Sequence, residues 1–175
     1  MICCVTGHRP HGFPFSREDE NILFLRYKEI LSLEIDKLIS YGCDHFITGM
    51  ADGADIDFAE LVLEKRDAGR DVILEAALPY PYFPRKKTTN ASAKKENILI
   101  SCDMLHTVSP YYYKGCMIRR NQYMVDKSDI VLAIWNGKEN GGTWNTLKYA
   151  VSKGKIVKYI MLADIKINID TFLIV

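Results

Sequence analysis

The stretch "FITGMADGADIDFAELV" at residues 46–62 passes from an apolar run through two glycines and three aspartates into a helical pattern. The apolar run "HFITG" at 45–49 does not alternate with polar residues, and residues 54–66 repeat apolar side chains at helical spacing. A buried strand that leads directly into a helix is the building unit of a parallel sheet. The stretch therefore predicts a strand–turn–helix unit with the glycines at its turn.

The same unit recurs along the chain. Repeated strand–helix–strand connections force right-handed crossovers and place helices on both faces of a parallel sheet. We therefore predict one α/β domain over residues 1–175, with a Rossmann-like three-layer fold and a mainly parallel sheet. Further strands are predicted at 2–7, 71–78, 104–109, 129–135, 155–162 and the tail 167–175, and further helices at 19–41, 86–101, 114–128 and 143–154.

Composition narrows the classes of function. The chain has 175 residues with 48% hydrophobic and 26% charged side chains, values that are ordinary for a soluble globular protein. A net charge of +1 argues against a surface built to bind nucleic acid. The five cysteines have no zinc spacing, and no apolar run approaches the length of a membrane span. We expect a cytoplasmic protein that has no membrane or metal site and requires no cofactor.

Ligands of such sheets bind outside the carboxyl ends of the strands, so the residues after each strand carry the information. Three segments stand out there: "TGHRP" at 6–10, "TGMADGAD" at 48–55 and "NGKENGGTWN" at 136–145. None of them is the dinucleotide fingerprint G-x-G-x-x-G or a phosphate loop that ends in Gly-Lys-Ser/Thr. The common nucleotide-binding motifs are therefore absent.

The segments nevertheless resemble a known superfamily. "FITGMADGADIDFAE" at 46–60 and "RRNQYMVDKSDIVLAIWNGKENGGTWN" at 119–145 are similar to SLOG proteins, which include DprA and the Lonely Guy phosphoribohydrolases. The opening "CCVTGHRP" at 3–10 resembles the bacterial YpsA-like branch. The resemblance implies a Rossmann-like fold and a site for a nucleotide-derived small molecule, either a nucleoside phosphate or an ADP-ribose- or NAD-like compound.

The second segment is rich in carboxylates. Asp52 stands where a helix N-cap belongs, and we expect Asp57 to be solvated. Asp55 has two interpretations: it completes a capping box, or it binds a ribose diol beside the close-approach glycines Gly49 and Gly53. A phosphate would be repelled by these carboxylates, whereas a ribose would not. This turn therefore predicts sugar recognition.

The last segment is the predicted phosphate site. Gly141 and Gly142 let the backbone approach a ligand, and their N–H groups can point at an anion together with that of Thr143. Thr143 is also a plausible N-cap. In the resembling phosphoribohydrolases a related Gly-Gly-x-Gly-Thr loop handles the phosphate, and "GGT" is the part that this sequence retains.

Basic residues can complement this anion site. Helical neighbours point about 100° apart, so one of Arg119 and Arg120 is expected to face the site. The family pattern of arginine followed by asparagine matches Arg120 and Asn121. Arg9 projects over the sheet edge, and His8 is a secondary candidate. The candidates after the first strand are Gly7, His8 and Arg9.

Loop aromatics can stack on a nucleobase, and Tyr80 and Trp144 are the candidates for this role. The sequence assigns no catalytic residue. The Lonely Guy enzymes place a glutamate three residues after their threonine, and this position is Thr146 here, which cannot act as a general base. Asp55, Asp126 or Glu139 would have to substitute for it.

Three hypotheses follow from these observations. The first is a sensor that binds a nucleotide-derived ligand with little or no catalysis. The second is an N-glycosidic hydrolase that acts on a nucleoside monophosphate or an ADP-ribose-like compound. The third is single-stranded DNA binding of the DprA type, against which the near-zero net charge counts. Homo-oligomerisation is left open by the sequence.

Overall fold

Six strands lie in the part of the chain that the computed structural model describes, which is residues 1–81 and 90–166. They are β1 (Ile2–Gly7), β2 (His45–Thr48), β3 (Ile73–Leu78), β4 (Met104–Thr107), β5 (Ile130–Trp135) and β6 (Ile156–Met161). Short 3-10 turns occupy Pro10–Gly12 and Leu162–Asp164. The helices are α1 (Ile22–Ser40), α2 (Ala54–Asp67), α3 (Asn90–Ser101), α4 (Cys116–Lys127) and α5 (Gly141–Ser152).

The sheet has the order β4-β3-β2-β1-β5-β6, and all its pairs are parallel. Cys4 pairs with Ile47 on one side and with Val131 on the other, so β1 lies in the middle. The chain moves outward from β1 to β4 and then returns to β5. The predicted Rossmann-like α/β fold is confirmed, and its topological switch point lies between β1 and β5.

Two hydrophobic cores cover the two faces of the sheet. The larger core joins β-strand side chains to α1, α2 and α3, with Tyr27, Leu31 and Phe58 fully buried in it. The smaller core lies under α4 and α5 and includes Met124 and Ala150. Helices on both faces explain why the central strands read as continuous apolar runs in the sequence.

The predicted elements agree with the structure except at their ends. We predicted that the last helix begins at residue 143, but α5 begins at Gly141, so the double glycine forms its first two residues. The first four residues of the predicted helix 86–101 and the predicted strand at 167–175 lie outside the described residues.

Three features bear on the expected class of protein. All five cysteines are free thiols. Within residues 1–81 and 90–166, no group of three or more metal-ligating side chains comes together. Over the same ranges, none of the helices combines the length and the apolar character that crossing a membrane requires.

Candidate functional site

A cavity of about 420 Å³ opens at the switch point. Its size is in the range of small-molecule sites. Its walls come from β1 and the loop after it, the start of α2, the middle of α4, and the loop between β5 and α5. We call it the larger cavity. The sequence candidates that line it are Gly7, His8, Arg9, Asp55, Arg120, Asn121, Gly141, Gly142 and Thr143.

The N-terminus of α5 forms one wall of the larger cavity. Its cap residue, Asn140, makes no side-chain capping hydrogen bond. A methyl group built on Gly141 or Gly142 would meet no heavy atom within 4 Å, so both glycines border open space. Amides in a first helical turn have no partner within the helix and attract anions. Thr143 is buried inside this turn and is not the N-cap, so that prediction was wrong.

Arg120, in the middle of α4, also lines the larger cavity. The side chain is almost completely buried, yet its Nε and Nη1 atoms have no hydrogen-bond partner within residues 1–81 and 90–166. Its nearest carboxylate is that of Asp55, with 3.8 Å between Nη1 and Oδ2. Burial lowers the pKa of Arg120, the charge of Asp55 opposes this shift, and the charge of Arg9 adds to it. Buried donors without partners are costly, so this arginine is suited to receive an acceptor from a ligand.

Asp55 holds the turn before α2 and also faces the larger cavity. Its Oδ2 atom accepts a hydrogen bond from the Ala51 N–H at 3.2 Å, and the Thr48 hydroxyl donates to its carbonyl at 2.9 Å. Burial raises the pKa of Asp55, and the positive charge of Arg120 opposes this shift. The capping-box interpretation is wrong, because Gly53 is the N-cap of α2 and Asp55 bonds to the Ala51 amide instead of the cap amide. The ribose interpretation stays a prediction, since the carboxylate lines the larger cavity.

The protein itself occupies the space beside the two glycines of this turn. A methyl group built on Gly49 would collide with the guanidinium of Arg120, and one on Gly53 would lie 2.5 Å from the His8 carbonyl oxygen. Gly53 also has a φ of 102°, which few other residues adopt. Gly49 makes room for the arginine and Gly53 for the loop after β1, while only Gly49 lines a cavity described here.

The other carboxylates of the turn have structural roles. Asp52 is not the N-cap, because Gly53 takes that position, and its carboxylate pairs with Lys95 at 3.1 Å. Asp57 is buried rather than solvated. It accepts two hydrogen bonds from Arg17, at 2.6 and 2.9 Å, and Arg17 also packs over the ring of Phe13. The Asp52 prediction was wrong because α2 begins at Ala54 with Gly53 as its N-cap. The Asp57 prediction was wrong because Arg17, 40 residues away, supplies a cation to it.

A short hydrogen-bond chain connects α4 to α5. The Asn121 amide donates to the Thr146 hydroxyl at 2.9 Å, and that hydroxyl donates to the Gly142 carbonyl at 2.9 Å. Thr146 is buried at the wall of the larger cavity. The position that carries a glutamate in the resembling hydrolases thus holds the first turn of α5 in place.

His8 presents a second unpartnered atom at this cavity. Its Nε2 atom is buried and makes no hydrogen bond to the part of the chain that the structure describes. Burial lowers the pKa of His8, so the imidazole is neutral near pH 7. Because a neutral imidazole can donate or accept at Nε2, either kind of polar ligand group can pair with it.

A second cavity of about 120 Å³, here the smaller cavity, lies beside the first. Tyr80 lines it together with Gly49, Leu78 and Pro79, so this candidate is separated from the double glycine. Trp144 lines neither cavity, because it stacks on Trp135 with ring centroids 5.4 Å apart. Of the two predicted stacking residues, the structure brings only Tyr80 to a cavity.

Arg119 and Gly53 also line neither cavity. Arg119 is exposed, whereas its neighbour Arg120 is buried. Sequence reasoning missed Asn136, Lys138 and Asn140, which lie in the wall of the larger cavity. They stand in the same segment, "NGKENGGTWN", and their position directly before the double glycine was the signal that could have found them.

The geometry can be compared with known proteins. The profile of the YspA SLOG family matches residues 3–166, nearly the whole chain. The chain belongs to the YspA SLOG family. Membership in this family indicates a function related to nucleotides, and the matched range contains both cavities and all six strands apart from the first residue of β1, Ile2.

Relatives in this family come from bacteria. A UPF0398 protein of Bacillus pumilus (strain SAFR-032) is 25% identical over 175 residues, which cover 97% of this chain and 92% of the relative. The UPF0398 protein YpsA of Bacillus subtilis (strain 168) is 19% identical over 177 residues, which cover 97% of each chain. These names specify neither a ligand nor an activity.

Proposed function

We propose that this protein binds a nucleotide-derived ligand in the larger cavity and acts as a sensor with little or no catalysis. The observation that carries the proposal is the buried guanidinium of Arg120, whose Nε and Nη1 atoms have no hydrogen-bond partner among the described residues and which lines the same cavity as the N-terminus of α5. A buried charge with unpaired donors is retained where a ligand completes it.

The charges of the larger cavity suit a phosphate. Arg9, Lys138 and Arg120 are cationic, and among its described lining residues Asp55 is the single carboxylate. The first-turn amides of α5 add fixed partial charge of the same sign. The phosphate of the ligand would lie between these groups.

Asp55 is suited to the sugar. A carboxylate accepts two hydrogen bonds from a ribose diol, and the separation from Arg120 leaves both groups able to bind ligand atoms. The proposed ligand therefore presents its ribose to the turn before α2 and its phosphate to α5. A nucleoside phosphate and an ADP-ribose- or NAD-like compound both meet this description.

Sensing is favoured over hydrolysis by Thr146. Its hydroxyl is committed to Asn121 and Gly142, and no proton transfer to a leaving base can be assigned to it. A hydrolase that works in this cavity would have to use Asp55, because it is the single carboxylate among the described lining residues and the nearest one to Arg120. Release of free base from nucleoside monophosphates, NAD or ADP-ribose that is lost on Asp55→Asn would replace the sensor proposal with the hydrolase.

The proposal is tested by calorimetric titration with a matched pair, AMP and adenosine, or the pair whose base is selected by a thermal-shift screen. Asp55→Ala should weaken both ligands alike, because both carry the diol. Gly142→Val and Arg120→Ala should weaken the nucleotide far more than the nucleoside, and Arg119→Ala is the control that should change neither. Equal losses for both ligands in the Gly142 and Arg120 variants would contradict the assignment of the phosphate.

A further inference from the structure

β4 is an outer strand of the sheet, and its side chains are exposed on both faces. Successive strand residues point to opposite faces, yet Met104 is 47% exposed and Leu105 is 59% exposed. Each of the other five strands contributes side chains to a hydrophobic core, whereas neither core of the described chain contains a residue of β4. Because all-parallel sheets are normally covered on both faces, β4 lacks the covering that the other strands have.

The edge formed by β4 also lacks charge. Residues 104–113, which comprise β4 and most of the loop after it, contain no lysine, arginine, aspartate or glutamate. The adjacent carboxylate of Asp103 is already engaged, because it accepts hydrogen bonds from the Leu74 N–H at 2.8 Å and from Arg66 at 3.0 Å. Charged residues are depleted at the centres of protein interfaces. Two copies of this edge can therefore meet without repulsion between like charges.

The opposite edge of the sheet, formed by β6, carries lysines. Lys158 lies within β6, and Lys155 directly precedes the strand. Lysines on an edge strand are a common device against pairing with another chain. The two edges differ in this respect although their first residues are equally accessible, since Met104 is 47% exposed and Ile156 is 48% exposed. Charge therefore distinguishes β4 from β6 as the edge that can meet a partner.

Three tyrosines at 111–113 extend the exposed surface beyond the end of β4. They are between 38% and 69% exposed, and tyrosine is enriched at protein interfaces. We call these tyrosines, together with Ile73, Met104 and Leu105, the β4 surface. It exposes on the order of 700 Å² per copy, and a specific dimer buries about 600–1,000 Å² on each partner. The β4 surface is therefore large enough for a stable interface.

We propose that this protein forms a homodimer in which the β4 strands of two copies pair antiparallel, so that the two sheets become one. A twofold axis perpendicular to the sheet reverses the direction of the second strand and brings the same surface of both copies together. β4 has four residues, so its backbone hydrogen bonds are few and the side chains of the β4 surface supply most of the contact. The inference goes beyond the proposed function and does not depend on the ligand.

Sedimentation equilibrium at about 50 µM chain tests the dimer, because interfaces of this size have dissociation constants that are micromolar or lower. The wild-type protein should have twice the 20.0 kDa mass of the chain. Met104→Lys should raise the dissociation constant of the dimer at least about tenfold, since the symmetry brings two added charges to one interface. Ile156→Lys is the matched control, because it adds the same charge at an equally exposed first residue of the other edge, and it should remain a dimer.

Hydrogen exchange separates strand pairing from other contacts. The amides of residues 104–107 should exchange at least about tenfold more slowly in the wild-type dimer than in Met104→Lys. Thermal unfolding checks that each variant is folded, and Tyr111→Lys, which lies outside the strand, should dissociate the dimer without disturbing the sheet. A monomeric wild-type protein, a dimer that survives both changes in the β4 surface, a dimer that Ile156→Lys also dissociates, or unchanged exchange at 104–107 would overturn the proposal.

Discussion

The Oδ2 atom of Asp55 and the Nη1 atom of Arg120 lie 3.8 Å apart, and both side chains are almost completely buried. This distance is ion-pair range but too long for a hydrogen bond. Two buried, opposite charges without a direct hydrogen bond are satisfied when a ligand hydroxyl donates to one and accepts from the other. The pair is therefore the centre of the first prediction.

Arg120→Ala should lower the affinity for the selected nucleotide about 10- to 100-fold, the value of one charge-assisted hydrogen bond. The adjacent Arg119→Ala should leave the affinity unchanged, because Arg119 is exposed and lines neither cavity. Calorimetric titration of both variants gives the comparison. If Arg119→Ala caused the larger loss, the site would lie on the other face of α4.

Gly49→Ala should destabilise the protein and remove nucleotide binding, since the added methyl group would collide with the guanidinium of Arg120. Gly142→Ala is the control for stability, because nothing lies within 4 Å of the methyl group it adds. Thermal denaturation should show a lowered Tm for Gly49→Ala and little change for Gly142→Ala. Equal Tm values for the two variants would be inconsistent with the close packing of Arg120 on Gly49.

Asp57→Asn should lower the free energy of unfolding by about 3 kcal/mol, the low end for a broken buried ion pair, because Arg17 is partly exposed. Asp19→Asn, at an exposed carboxylate in the loop that carries Arg17, should change the free energy of unfolding by less than about 0.5 kcal/mol. Urea unfolding of both variants measures the difference. A loss of similar size in Asp19→Asn would indicate an effect of net charge instead of the pair.

Glu75 should make the protein sensitive to acid. Burial raises the pKa of Glu75, but hydrogen bonds from His45 at 2.9 Å and Tyr123 at 2.6 Å outweigh it, so the pKa is lowered. Because the folded-state pKa is below the ordinary value of 4.5, the stabilisation is fully present above pH 4.5. It is then lost as the pH falls through the folded-state pKa.

The pH dependence of urea unfolding tests this effect. Below pH 4.5, the free energy of unfolding of Glu75→Gln should fall less than that of the wild type. Glu64→Gln, which changes an exposed residue, should keep the wild-type pH profile. Identical profiles for wild type and Glu75→Gln would assign the acid sensitivity to other groups.

Nucleotide binding should change the intrinsic fluorescence of the protein. The chain has two tryptophans, and Trp135 stacks on Trp144, which follows Thr143 in the first turn of α5. A phosphate at this turn alters the field around the stacked pair. Titration of AMP into the wild-type protein and into Trp144→Phe should give a signal in the first and a reduced one in the second. No signal in either, with binding seen by calorimetry, would place the phosphate away from α5.

Much of this site could be anticipated from segments that follow strands. Gly7 ends β1, His8 and Arg9 follow it, and "GGT" begins α5, so their meeting at one cavity follows from the parallel order of the sheet. Parallel strands bring their carboxyl ends to one edge wherever they lie in the sequence.

Other features required the three-dimensional structure. Nothing near Asp57 in the sequence announces Arg17, which is 40 residues away, and nothing near Gly49 announces the guanidinium of Arg120. Local sequence patterns predicted that Asp57 faces solvent and that a ligand lies beside Gly49. In the folded chain, Arg17 pairs with Asp57 and the guanidinium of Arg120 lies beside Gly49. Contacts between distant segments are invisible to capping and turn rules.

The sequence by itself determined the class of fold, the family resemblance and the edge of the sheet at which ligands would bind, because hydrophobic period and glycine position are local properties of the chain. Only the tertiary structure decided that Arg120, and not Arg119, is buried beside Asp55, and that Tyr80 borders a separate cavity. Which side chains are buried, and where one cavity ends and the other begins, depend on how α2 and α4 pack on the two faces of the sheet beside its carboxyl edge.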